Sequence, residues 1–267
     1  SDSGTLADLA ERVKGSPAWF DAKKGRHSIN FVTAHDGFTM NDLFSYDKKH
    51  NLANGEGNRD GANDNHSWNH GIEGPVLENN LPKSQAMAIE ALRNRQVKNA
   101  FAMMFLSRGT PMILSGDEFR RTTNGNNNYW NQEKLNMLDW SLMDKHPDVV
   151  RFVEHISALR KEFQIGQRPP EQIIWHGTRP FDQSFRPDGR YLAWELPTTA
   201  AQPKRLYNGF NAFWEPLEIK LPEGIWRRRV DTNLPQGEDI VGPGQGALFK
   251  DNYVVQPHTG VVFESEN

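Results

Sequence analysis

The sequence predicts an α/β part followed by an all-β part. Three observations carry this. Helical and short β-branched segments alternate through roughly the first 165 residues, as in βα units around a parallel sheet. Polar residues follow the apolar strands directly. Beyond Arg168-Pro169-Pro170 the helical period is lost, and short alternating runs between Gly and Pro take over.

The elements follow in order. Residues 3–14 predict a helix, with Thr5 and Asp8 as a capping box and Leu6, Leu9, Ala10 and Val13 on one face. Ile29 to Ala34 predicts a buried strand ending at His35-Asp36-Gly37. Tyr46 to Pro82 is a long polar stretch rich in Asn, Gly, Asp and His, of the kind that is functional or disordered; its aromatic and histidine content argues against simple disorder. Residues 84–108 predict a helix capped by Ser84, with an apolar stripe that includes Met87, Ile89, Leu92, Val97, Phe101 and Phe105, and Gly109 as its stop. Thr110 to Leu114 predicts a second buried strand, ending at Ser115-Gly116-Asp117-Glu118. Asp148 to Phe163 predicts another helix, with Val149, Phe152, Val153, Ile156 and Leu159 on one side. Tyr191–Leu196, Leu217–Leu221 and Tyr253–Phe263 predict strands of an antiparallel β-sandwich, with Trp175, Trp194 and Trp214 in its core.

Composition removes several function classes. The chain has 267 residues, 36% hydrophobic and 24% charged, with a formal charge of −3. No apolar run approaches the ~20 residues of a membrane helix. No basic field is present to hold nucleic acid; Arg227-Arg228-Arg229 reads as a solvated strand edge. The absence of cysteine excludes disulfides and thiolate chemistry and is compatible with the cytoplasm, the expected location. His50, His66 and His70 match no metal-ligand spacing. Ser1-Asp2-Ser3-Gly4, without an initiator Met, reads as a cut inside a longer protein.

Two strand-end motifs are specific: Phe31-Val32-Thr33-Ala34-His35-Asp36-Gly37, continuing to Leu43, and Gly109 to Phe119. With Lys49 to Gly61, Gly125-Asn126-Asn127-Asn128 and Leu138-Asp139-Trp140, they resemble the bacterial glycogen-debranching and isoamylase branch of the α-amylase superfamily. The resemblance runs from about Ser3 to the end. It implies that residues 1–166 are the C-terminal part of a (β/α)8 TIM barrel, with strands seven (Phe31–Asp36) and eight (Thr110–Leu114). Residues 167–267 match the C-terminal all-β domain. A complete barrel needs eight strands in about 250 residues, and only two are visible here.

By the same resemblance, Asp36 is the third catalytic carboxylate, gripping sugar hydroxyls and keeping the acid protonated. His35 binds hydroxyls of the same sugar. The simpler alternatives are a turn residue capping its own backbone and a core histidine. A retaining glycosidase needs two further carboxyls, about 5–5.5 Å apart. The family's nucleophile Asp and acid/base Glu follow barrel strands four and five, and neither motif occurs in this sequence. Asp117 and Glu118 read as hydrogen-bonding support for the site rather than as its chemistry. Asn58, Arg59 and Asp60 are candidate sugar-binding residues, and Tyr129 and Trp130 a candidate sugar platform.

The expected function is therefore that of a fragment of an enzyme cleaving α-1,6 branches in glycogen or limit dextrin, without a cofactor and inactive alone. Its expected partners are the branched α-glucan and the N-terminal part of the barrel, not nucleic acid or membrane. The alternative is a non-catalytic glucan-binding or scaffolding fragment.

Overall fold

The computed structural model describes residues 5–20, 27–186 and 188–266. Two compact units emerge. One comprises residues 1–30, 101–111 and 154–267, the other residues 31–100 and 112–153. No helix among the described residues is long and apolar enough to cross a membrane.

Helix α1 spans Thr5–Val13 and buries Ala10 and Val13. The Thr5 side chain, and with it the expected capping box, lies outside the described residues. Strand β1 is Ile29–Asn30, and a short helix α2 follows at Met40–Leu43. Helix α3 runs Lys83–Leu106 and leads into β2, Thr110–Pro111. β1 and β2 pair in parallel, Ile29 opposite Thr110, so the βαβ pattern read from the sequence is present.

The strands are shorter than expected, and they are not buried. Ile29 is 61% and Phe31 54% exposed, and Val32 and Met112 are exposed as well. A parallel sheet buries its apolar side chains only when layers cover both faces. A two-stranded ladder provides no such cover for them among the described residues.

Helix α3 also departs from its expected stripe. Ala86, Val97, Phe101 and Phe105 are buried, but Met87 is exposed and Arg93 occupies the buried face. The helix begins one residue early. The Pro82 carbonyl accepts from the Gln85 and Ala86 N–H groups at 2.9 and 3.0 Å, leaving Ser84 in the first turn rather than at the cap.

Short helices α4 (Glu133–Asn136) and α5 (Leu142–Lys145) precede α6, Pro147–Glu162. α6 buries Val149, Phe152, Ile156 and Leu159, the face its periodicity implied. In the first unit, Arg160 donates to the carbonyls of Phe105 and Ser107, each at 2.6 Å, and to that of Gly109. The last carbonyls of a helix have no intrahelical partner, and one guanidinium satisfies those at the end of α3.

From Ile174 onward the chain is β. Strands β3 (Ile174–His176), β4 (Tyr191–Leu196), β5 (Leu206–Asn211), β6 (Leu217–Lys220), β7 (Ile225–Asp231), β8 (Leu248–Phe249), β9 (Asn252–Val255) and β10 (Thr259–Glu266) follow. The described residues form one antiparallel sheet ordered β3-β4-β5-β10-β7-β8 and a ribbon of β6 and β9. Tyr207, Trp226, Val261 and Phe263 of the large sheet share a core with Ile219 and Val255 of the ribbon. The result is a sandwich of unequal layers.

Three sequence expectations fail here. The run Tyr253–Phe263 is two strands, β9 in the ribbon and β10 in the large sheet, parted at Gln256-Pro257-His258. Arg227 to Arg229 do not lie on a solvated edge, because β7 runs between β10 and β8. Arg229 is buried and pairs with Glu264 and, at 3.0 Å, with Glu162. Trp194 is in the core, but Trp214 is 67% exposed. It sits in the β5–β6 connection, where the buried Asn211 side chain donates to the Glu215 carbonyl at 3.0 Å and sets the turn.

Phe263 is fully buried at the centre of the sandwich. Phe263→Ala is expected to cost about 3–5 kcal/mol, seen as a lower denaturation midpoint with the same slope. An unchanged midpoint would refute this placement of the core.

Candidate functional site

The site is built in the second unit, on the turn that follows Phe31 to Ala34. Its ends are tied together by one buried carboxylate. Asp117 accepts from the Thr33 hydroxyl on one oxygen and from the Met40 N–H, at 2.8 Å, on the other. Residues 34–39 therefore form a closed excursion with fixed feet. Thr39 caps α2 by accepting from the Asp42 N–H at 3.3 Å. Phe38 packs beneath, 6.2 Å from the Tyr46 ring centre. At the tip, Gly37 has φ +91°, a region glycine enters without Cβ strain. Its N–H donates to the Asn127 carbonyl at 3.1 Å.

His35 and Asp36 stand on this excursion with side chains 88% and 82% exposed and 3.5 Å apart. An exposed pair at that distance contributes little to stability. Neither side chain is consumed by packing, so both are open to a ligand.

Asp42 organises the facing loop. It is fully buried and accepts from the Thr122 hydroxyl at 2.5 Å, the Thr123 N–H at 2.8 Å and the Gly125 N–H at 3.1 Å. Arg120 braces the same loop by donating to Asn41 and Glu90 at 2.9 and 2.6 Å.

The polar stretch after Tyr46 is ordered by hydrogen bonds rather than by a core. Arg93 donates to the carbonyls of Gly74 and Asn69, each at 2.7 Å, and to that of Ile72. Burial lowers the Arg93 pKa from its usual value. Glu73 shows the opposite balance. Burial would raise its carboxyl, but bonds from the Asp47 and Lys48 N–H groups, Asn69 and His50 bring it down to about 2. A cavity of about 620 Å³ lies between Glu73 and the 47–52 segment.

Asn58, Arg59 and Asp60 fall in this lattice, and not all are available. Asn58 accepts from the Asn51 N–H at 2.8 Å and donates to the Lys49 carbonyl at 3.2 Å, so both ends of its amide are occupied. Asp60 accepts from Asn54 and Asn128 at 2.7 and 3.0 Å, which holds its carboxyl below the usual range. Arg59 is exposed, donating from Nε to the Glu56 carbonyl at 3.1 Å. Tyr129 and Trp130 diverge. Tyr129 is buried with the Arg121 guanidinium 5.1 Å from its ring centre, so its face is not a sugar platform. Trp130 is 75% exposed and offers an open ring.

The histidines of the polar stretch go to separate partners. His50 meets Glu73 at 3.1 Å, and His70 meets the Phe44 carbonyl at 3.0 Å. Asp42, Asn51 and Asn127 fall inside motifs read from the sequence but were given no role there, and Arg93, on α3, was not singled out.

The chain thus combines a parallel βαβ unit, with a carboxylate past its first strand, and an antiparallel β part. Comparisons with known proteins identify its relatives. The chain is 47% identical over 271 residues to the glycogen operon protein GlgX homolog of Mycobacterium tuberculosis H37Rv, covering 89% of this chain and 36% of that protein. It is 36% identical over 250 residues to chloroplastic isoamylase 1 of Arabidopsis thaliana, covering 90% and 31%. A pullulanase of Anoxybacillus sp. LM18-11, solved with maltotetraose, shares the fold at TM-score 0.64 and 16% identity, over 99% of this chain and 34% of that one. The chain matches no family model. It belongs to the family of GlgX homologs and isoamylases. It spans about a third of the length of the curated relatives it matches.

Burial, aided by the neighbouring Glu118 and Asp42 charges and opposed by the bonds from Thr33 and Met40, raises the Asp117 pKa from 3.8 to about 7. The folded state thus holds a proton that the unfolded chain releases earlier. The contribution of this group to stability is greatest at low pH and falls as pH rises from about 4 to about 7. Asp117→Asn keeps an acceptor for Met40 but cannot titrate. Melting temperature against pH should therefore fall less across that window in the variant. Parallel profiles would remove Asp117 as the titrating group.

Proposed function

We propose that this chain is the C-terminal part of an α-1,6-glucosidase that removes branches from glycogen or a related α-glucan. Residues 1–166 are read as the last portion of the catalytic (β/α)8 barrel and residues 167–267 as its all-β domain. The observation that carries the reading is the exposed His35–Asp36 pair on a turn pinned at both feet by Asp117. The 47% identity to a GlgX homolog supports it. In such a barrel, residues just past the C-terminal ends of the strands form the active face.

Asp36 is the third carboxylate of a retaining mechanism. It holds hydroxyls of the sugar at the scissile bond, and its charge raises the pKa of a neighbouring acid so that the acid stays protonated. His35 binds hydroxyls of the same sugar and favours the distorted, oxocarbenium-like ring. Trp130 is the open aromatic face for an adjacent glucose unit. Arg59 is the candidate of its loop that remains reachable, while Asn58 and Asp60 act by shaping that loop. The nucleophile and the general acid come from the N-terminal part of the barrel, which is the partner this portion requires. Maltotetraose in the Anoxybacillus pullulanase supports an α-glucan ligand. We place the parent enzyme in the cytoplasm, the expectation that accompanies the likeness to a glycogen operon protein.

In the full-length parent, Asp36→Asn is expected to lower turnover of branched glucan on the order of 10²–10³-fold, the scale of losing one preorganised electrostatic partner, with the melting temperature unchanged. Wild-type turnover in that variant would remove Asp36 from the site. The 267-residue chain by itself is expected to release no reducing ends from glycogen. Turnover abolished by Asp36→Asn in this chain would overturn the division of roles.

A further inference from the structure

Asp117 holds the feet of the 34–39 excursion, but Asp36 stands at its tip. The Asp36 side chain is exposed, and its contact with His35 is long at 3.5 Å. Its direction is therefore set by the backbone of the turn. At the tip that backbone is held by the bond from the Gly37 N–H to the Asn127 carbonyl, 3.1 Å long.

The Asn127 carbonyl is in turn placed by an unusually complete set of bonds. The Asn127 N–H donates to the Asn51 side-chain oxygen at 3.0 Å, and the Asn51 amide donates back to the Asn127 side-chain oxygen at 2.8 Å. The Asn127 amide nitrogen donates to the Ala62 carbonyl at 2.9 Å and to the Asn65 side chain at 2.6 Å. Both residues are buried, Asn51 at 0% and Asn127 at 2% exposure. Gly61 closes over the pair with φ +70°. A Cβ there would lie 2.2 Å from the Asn127 oxygen and 2.8 Å from the Asn51 nitrogen. A buried, mutually bonded amide pair in a site that admits no other atom has one orientation, and breaking it leaves unsatisfied polar groups.

Resting on the reading of Asp36 given above, we infer that Asn127, locked by Asn51 beneath Gly61, is the positioning residue that aims Asp36 at the sugar. The pair makes no contact with substrate. It transmits the order of the 51–65 loop to the catalytic turn through one backbone hydrogen bond.

The test uses the full-length enzyme carrying Asn51→Ala, Asn127→Ala or Gly61→Ala, with Asp36→Asn as reference. Gly61→Ala leaves both amides in the chain and displaces them by steric contact, together with the backbone strain of an alanine at φ +70°. Turnover of branched glucan, affinity for maltotetraose and hydrogen exchange at the Gly37 amide are measured below the melting transition. The expected result is a fall in kcat on the order of 10²-fold, the effect of misplacing a catalytic group by about 1 Å. Maltotetraose affinity is retained, and Gly37 exchange accelerates.

Several outcomes overturn the inference: kcat retained in all three variants, affinity lost in proportion to kcat, or a Gly37 amide that already exchanges without protection in the unsubstituted enzyme. The last measurement decides the matter even if the variants fail to fold. If Asp36→Asn abolishes turnover while the three variants keep it, the positioning role alone fails. If Asp36→Asn is active, the reading of Asp36 fails and the inference with it.

Discussion

The arrangement of the site depends on one buried carboxylate. Asp117 lies just past the second strand and binds the residues on either side of the turn that follows the first. Two strand ends distant in sequence thereby become one platform. A buried acid is costly unless hydrogen-bonded, and here the two bonds that satisfy it are also the two that shape the platform. Stability and site geometry are thus carried by the same atoms.

Around that clamp the second unit is held by polar groups to an unusual degree. Asp42 gathers the N–H and hydroxyl groups of residues 122–125. Arg93 gathers carbonyls of residues 69–74, and the paired amides of Asn51 and Asn127 join the 51–65 segment to the loop opposite. Such a lattice orders a long connection without an apolar core. It also exposes the few groups it does not use, among them Asp36, His35, Arg59 and Trp130. The first unit solves a different problem by familiar means, with aromatic side chains between two sheets and the buried Arg229 and Glu264 charges paired within it.

Much of the fold was legible because local periodicity survives folding. The face of α6 containing Phe152 and Ile156 was read correctly from spacing, and Tyr191–Leu196 is β4 to the residue. Strand β5, Leu206 to Asn211, was missed because Asn208, Gly209 and Asn211 break the alternation, although all are buried in the sheet. Arg229 was misread because charge alone suggests solvent, whereas its two glutamates come from β10 and α6. Trp214 was misread for the converse reason: a large aromatic suggests a core, and a turn set by Asn211 places it outside.

For the site, the sequence by itself determined which residue types are candidates, and the strand-end motif put forward His35 and Asp36. Tertiary structure alone decided which candidates remain free to act. Asn58, Asp60 and Tyr129 were as plausible as Arg59 and Trp130 on residue type, yet the first three are consumed by hydrogen bonds or burial. The physical reason is that a side chain's availability depends on how far burial and existing hydrogen bonds have taken up its atoms. The Asn128 that binds Asp60 lies 68 residues away, beyond the reach of any local pattern.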